Sequence, residues 1–143
     1  MKANLFILVL WSLSLTFILF NATQTGSQSS GFSLEVSNIL SNGLLRLGIR
    51  VDIEIFHALI RMGGHIFQYL IFGYLSIWVI SIYHLKWYNI FRTVYVMILD
   101  EAIQLFTPGR AGELFDIMLD SIGVILAVIF FFVTKQIFKK HGG

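Results

Sequence analysis

The sequence predicts an all-α integral membrane protein: four transmembrane helices, with a helical segment lying at the outer face between the first and the second. Of the 143 residues, 57% are hydrophobic and 13% charged, and the mean hydropathy is +0.80. Soluble domains carry about a quarter charged residues. A fold of this length cannot hide so much apolar surface from water, so the bilayer is its solvent. The apolar residues also gather into four runs, roughly 5–20, 65–83, 87–106 and 114–138. Each is close to the about 20 residues that a helix needs to cross about 30 Å of hydrocarbon. Residues 1–143 read as a single membrane domain without internal repeats.

The first run follows Lys2 and contains Trp11; it is longer than the apolar core of a signal peptide and reads as a retained span. After it, NATQTGSQSSGFS is polar and rich in Gly and Ser, which predicts a loop. Residues 34–64 mix apolar side chains with single charges and predict one or two interfacial helices, ending at a boundary marked by Gly63 and Gly64. The second span follows. The third and fourth are joined by only residues 107–113, and Pro108-Gly109 is a strong turn signal, so these two helices are expected to form an antiparallel hairpin.

Lys and Arg set the orientation. With both termini cytoplasmic, the inner side holds Lys2, Lys86, Arg92, Lys135, Lys139 and Lys140, against Arg46, Arg50, Arg61 and Arg110 outside. All eight acids then fall on or near the outer side.

Counted from the turn, Gln104 and Asp116 lie a few residues into their helices, while Asp100 and Asp120 lie about seven or eight in, roughly 10–12 Å along the axis. Asp116, Asp120, Gly123 and Ala127 share one stripe of the fourth span; Asp100 and Gln104 share a face of the third, flanked by Glu101. Small residues such as Gly123 and Ala127 let a neighbouring helix approach closely. Carboxylates at this depth cost about 2.5–3.5 kcal/mol each on insertion scales unless they are paired or hydrated. A cationic or hydrogen-bonding partner is therefore required. Arg110 is placed to reach down from the turn as a bidentate clamp, and the second span offers Arg61, His65, Gln68 and Tyr69 at helical spacing. The cluster reads either as a polar site open to the outer leaflet or as a structural lock.

Several function classes fall away. The chain has no cysteine, which excludes disulfides, thiol chemistry and cysteine-based zinc sites. A net charge of +2 without a basic-aromatic stripe gives no sign of a nucleic-acid partner. TPGRAG lacks the Lys-Ser/Thr ending of a phosphate-binding loop, and neither HExxH nor GxSxG occurs. No metal site, no cofactor and no catalytic residue is assigned.

The run DEAIQLFTPGRAGELFDIMLDSIG resembles the pattern of the VanZ-like membrane proteins: Asp-Glu, a Gln three residues on, a Pro-Gly-Arg turn, then Asp-x-x-x-Asn/Asp-x-x-Gly. RMGGHIFQYLIFGYL resembles the family's second-span segment, with Met62 where a Lys is often found, and FNATQTGSQSSGFS resembles its segment after the first span. Carried onto this chain, the motif positions are Arg61, His65, Tyr69, Asp100, Glu101, Gln104, Arg110, Asp116, Asp120 and Gly123. The resemblance implies a multi-pass protein of the bacterial inner membrane, in a family named for a member linked to teicoplanin resistance. The expected partners are membrane lipids and either lipid-linked cell-wall precursors or a glycopeptide antibiotic, and close-packing helix faces are compatible with a homodimer. The leading expectation is a non-enzymatic influence on glycopeptide susceptibility. Its alternatives are a membrane enzyme using Asp100, Glu101 or Asp116 as general base with Arg110 on a phosphate, a small transporter, or a purely structural polar lock.

Overall fold

The computed structural model describes the backbone of residues 2–110 and 112–141 and the side chains of residues 4–110 and 112–137. Its regular structure is helical throughout: α1 (Lys2–Thr23), α2 (Gly26–Arg46), α3 (Ile53–Ile82), a 3-10 turn (Trp87–Phe91), α4 (Arg92–Leu105) and α5 (Leu114–His141). Among the described residues, three helices are long and apolar enough to cross a membrane, over Asn4–Thr23, Ile53–Ile82 and Leu114–Ile137. Large side chains such as Leu13, Phe17, Ile125 and Phe130 are exposed on α1 and α5, the surface a lipid solvent accepts.

Helix α3 is the centre of the bundle, with α5 packed along it most extensively and α1 beside it. Trp11 Nε1 donates to Ser76 Oγ at 2.9 Å and Asn21 Nδ2 to Gln68 Oε1 at 2.8 Å, so α1 runs antiparallel to α3. Gly123 lies against Ile66 and Tyr69, while Ala127 lies against Gly73, so α5 runs parallel to α3. The close approach depends on Gly123: a Cβ there would clash with the Ile66 carbonyl oxygen. Between the helices, Ile18, Tyr69, Phe72 and Met97 form a buried core, with Trp11 stacked on Phe72 at 5.9 Å between ring centroids.

The structure corrects the expected boundaries at three places. The polar stretch after the first span is not a loop, because α1 continues to Thr23 and α2 begins at Gly26. A capping box starts α2: the Thr25 side chain accepts from Gln28 N at 3.3 Å, and the Gln28 side chain accepts from Thr25 N at 3.0 Å. Ser33, the last residue of that stretch, bonds back along the helix to Ser29 O at 3.1 Å, and Ser37, one turn further on, does the same to Ser33 O at 2.7 Å.

The interfacial stretch is likewise split differently. It divides into α2 and the first turns of α3, and Gly63-Gly64 lies within α3 rather than bounding it. The start of α3 is set upstream by Asp52, whose Oδ1 accepts from Glu54 N at 2.9 Å and Ile55 N at 3.2 Å. The two glycines weaken the helix by about 1 kcal/mol each relative to alanine, and the surrounding turns carry it through.

The third apolar run is not one α-helix. It opens with the 3-10 turn, held by Asn89 Nδ2 donating to Lys86 O at 2.7 Å, and only 14 residues follow in α4. At 1.5 Å per residue α4 spans about 21 Å, which sets it apart from the three long helices.

Gly123→Ala is expected to destabilise the fold by about 1–3 kcal/mol through overpacking. Gly63→Ala, where an added Cβ meets nothing within 4 Å, is expected to stabilise it by about 0.5–1 kcal/mol. Thermal unfolding of the purified variants beside wild type checks both.

Candidate functional site: a ring of hydrogen bonds around buried carboxylates

The site is built outward from α3, where His65 and Tyr69 lie one turn apart and face α4 and α5. Tyr69, fully buried, donates its hydroxyl to Asp100 Oδ2 at 3.0 Å. The other oxygen, Asp100 Oδ1, accepts from Gln104 Nε2 at 3.0 Å, one turn along α4. Gln104 Oε1 accepts from Arg110 Nη2 at 2.8 Å, and Arg110 Nη1 donates to the Asn21 carbonyl at 3.3 Å. Asn21 in turn donates to Gln68, the neighbour of Tyr69. The chain of bonds therefore leaves α3 at Tyr69, crosses α4 and the turn, reaches α1, and returns to α3 one residue away. It closes as a ring.

On the α5 side, His65 Nδ1 lies 3.0 Å from Asp120 Oδ1 and Nε2 lies 3.8 Å from Asp116 Oδ2. Both ring nitrogens thus face carboxylates, which an imidazolium serves with two N–H groups and a neutral ring with one. Glu101 Oε2 accepts the backbone N–H of Glu113 at 2.9 Å, so an acid from α4 satisfies a donor at the entry to α5. Glu101 Oε1 and Asp120 Oδ2 are buried with no hydrogen-bond partner among the described residues.

The α1–α2 junction and the α4–α5 turn are stitched to each other directly. Thr107 Oγ1 donates to Ala22 O at 3.0 Å and Gly26 N donates to Pro108 O at 3.0 Å. Only glycine allows the second contact, since a Cβ at Gly26 would lie within bonding range of the Gly109 carbonyl. These bonds hold Arg110 over the carboxylates.

The expected residues are thus placed unequally. His65, Tyr69, Asp100, Glu101, Gln104, Asp116 and Asp120 converge, and Gly123 and Ala127 pack the stripe below them onto α3. Arg110 is a correction. It makes no bidentate contact with a carboxylate but binds an amide oxygen and a backbone carbonyl, acting through Gln104 on Asp100. Its guanidinium pKa is lowered from the ordinary arginine value, first by burial and then by the nearby Arg61, while Asp100, Asp116 and Glu101 oppose the shift. Arg61 itself is exposed, and among the described residues it makes no hydrogen bond or ion pair. Sequence reasoning missed Asn21 and Thr107, whose contacts run largely through backbone carbonyls, and the Ser33–His57 bond of 2.7 Å that fastens α2 to α3.

Chemically, the cluster is rich in acceptors and poor in nucleophiles. Among the described residues, Tyr69 is the one hydroxyl on a carboxylate; Ser121 donates instead to the Ile117 carbonyl at 2.7 Å. No three His, Asp or Glu side chains among them converge in a way that could hold a metal ion.

Compared with known proteins, residues 5–137 match the sequence model of the VanZ/LLP1 family. Neither a curated protein nor a solved structure matches the chain.

Tyr69→Phe leaves Asp100 Oδ2 without its donor and is expected to cost about 1–3 kcal/mol of stability. Tyr74→Phe, whose hydroxyl meets Thr134 Oγ1 at 3.4 Å, is expected to stay within about 0.5 kcal/mol of wild type. Thermal unfolding of the pair in one detergent distinguishes the two outcomes.

Proposed function

Since the chain belongs to the VanZ/LLP1 family, we propose that it is a multi-pass protein of the bacterial inner membrane that lowers susceptibility to teicoplanin-type glycopeptides by a non-enzymatic route. The carboxylate cluster lies at its outer face and both termini are cytoplasmic. The 3-10 turn and α4 form the fourth crossing, their rises together amounting to about 30 Å. Helix α2 lies along the outer interface, exposing Phe32, Ile39, Leu40 and Leu45. The cluster acts where the antibiotic meets lipid-linked cell-wall precursors.

The observation that carries this reading is the placement of the cluster. Four buried carboxylates lie just beneath the α4–α5 turn, at the end of the bundle opposite Lys86, Arg92 and Lys135. The distribution of Lys and Arg favours that turn as the outer end. The non-enzymatic route is favoured by the make-up of the cluster itself, where among the described residues no serine or threonine hydroxyl is bonded to an acid or to His65.

The purely structural reading has its own support, because the ring closes on itself and joins α1, α3 and α4 without needing a ligand. Wild type, Asp100→Asn, Glu101→Gln and Asp116→Asn, produced in a sensitive Gram-positive host, separate the two. The expected outcome is that wild type raises the minimal inhibitory concentration of teicoplanin, and the variants return it to the empty-vector level while accumulating normally in the membrane. Loss of the protein itself in all three variants supports the lock instead.

A further inference from the structure

The opposite end of the bundle has a chemistry of its own. Helix α3 leaves the membrane-crossing range at Ile82, and the chain reverses through His84, whose φ of 51° is the one positive value among the described non-glycine residues. The 3-10 turn that follows is fixed by two bonds to the Lys86 carbonyl, from Asn89 N at 3.0 Å and Asn89 Nδ2 at 2.7 Å. It presents a group of aromatic rings to the surroundings: Trp87 is 73% exposed, Tyr88 51%, Phe91 61% and Tyr95 76%.

Amid these rings lies a concavity of about 310 Å³ lined by Tyr88, Asn89, Phe91, Arg92 and Tyr95. Arg92 is exposed and makes no hydrogen bond or ion pair among the described residues. Lys86 Nζ stands 5.8 Å from the centroid of the Tyr88 ring. Residues 83–99 contain no acid, so neither cation has a carboxylate nearby in the chain.

We propose that this concavity binds the phosphate of an anionic phospholipid, with Arg92 as the principal contact, Lys86 beside it, and the aromatic rings seating the glycerol region. The chemistry fits on three counts. A guanidinium offers paired donors that match the geometry of a phosphate. Exposed Trp and Tyr at the end of an apolar helix settle at the level of lipid headgroups, where an apolar ring body and a polar edge are both accommodated. Finally, a phosphate from water has no use for four exposed aromatic side chains, whereas a lipid phosphate arrives with the apolar chains those rings can border. The site is separate from the carboxylate cluster and its occupancy does not depend on the function proposed for that cluster.

The test uses the full chain in vesicles of equimolar phosphatidylcholine and phosphatidylglycerol, with spin-labelled forms of each lipid reporting association by electron paramagnetic resonance. Wild type is expected to favour phosphatidylglycerol severalfold. Arg92→Gln is expected to remove most of that preference, because it takes away the paired donors that hold the phosphate, and Tyr95→Ala to reduce it as well. Lys135→Gln removes an exposed charge outside the concavity and is expected to keep most of the preference. Circular dichroism verifies that each variant is folded, and Lys86→Gln replaces Arg92→Gln should that variant not fold. No preference in wild type, an equal loss in Lys135→Gln and Arg92→Gln, or displacement of the labelled lipid by inorganic phosphate would each overturn the proposal; the last would mean a site for free phosphate.

Discussion

A carboxylate withdrawn from water must have its oxygens met by donors, and the arrangement of this bundle follows from how Asp100 meets that demand. One oxygen is served from α3 by Tyr69 and the other from its own helix by Gln104. Gln104 can be held in that orientation because Arg110 occupies its carbonyl end, and Arg110 is in turn held by the end of α1. Each member fixes the rotamer of the next. The geometry of four segments of the chain is thereby tied to one acid, and the short 14-residue α4 is kept in register with helices much longer than itself.

The carboxylates on α5 are satisfied differently. Asp120 and Asp116 share one imidazole, and Asp120 keeps an oxygen without a partner. The contrast between a fully bonded Asp100 and an incompletely bonded Asp120 and Glu101 divides the cluster into a structural part, nearer α1, and a part with acceptor capacity to spare. Such spare capacity in a buried group has an energetic cost that a closed network avoids. Both unpartnered oxygens belong to the acids of α4 and α5, Glu101 and Asp120.

Much of this was legible because buried charge in an apolar sequence is conspicuous. The stripe Asp116, Asp120, Gly123 and Ala127, and the pair His65 and Tyr69, follow from helical spacing alone, and the structure puts them on facing surfaces. The Pro108-Gly109 turn could be read for the same local reason. Boundaries were harder where one feature outweighed composition: Thr25 and Gln28 start a helix in a stretch whose serines and glycines suggest a loop, and Asp52 starts α3 well before its glycine pair. The role of Arg110 was not legible at all. A guanidinium near carboxylates invites an ion pair, but its contacts here are an amide and a main-chain carbonyl, and no side-chain pattern announces a carbonyl.

The ring also spans the chain in time. Arg110 and the Asn21 carbonyl it binds are 89 residues apart, and Thr107 and Ala22 are 85 apart. A chain made from its N-terminus presents α1, α2 and α3 before the turn that joins them, so Asn21, His65 and Tyr69 enter the membrane with Arg110, Asp120 and Asp100 still unsynthesised. Closure of the ring must wait for Arg110, whereas the Trp11–Ser76 and Asn21–Gln68 bonds between α1 and α3 need only residues made earlier. A chain stopped before the α4–α5 turn would hold Asp100 in an apolar setting with only Tyr69 and Gln104 to hold it, the kind of polar exposure by which unfinished membrane proteins are distinguished from finished ones.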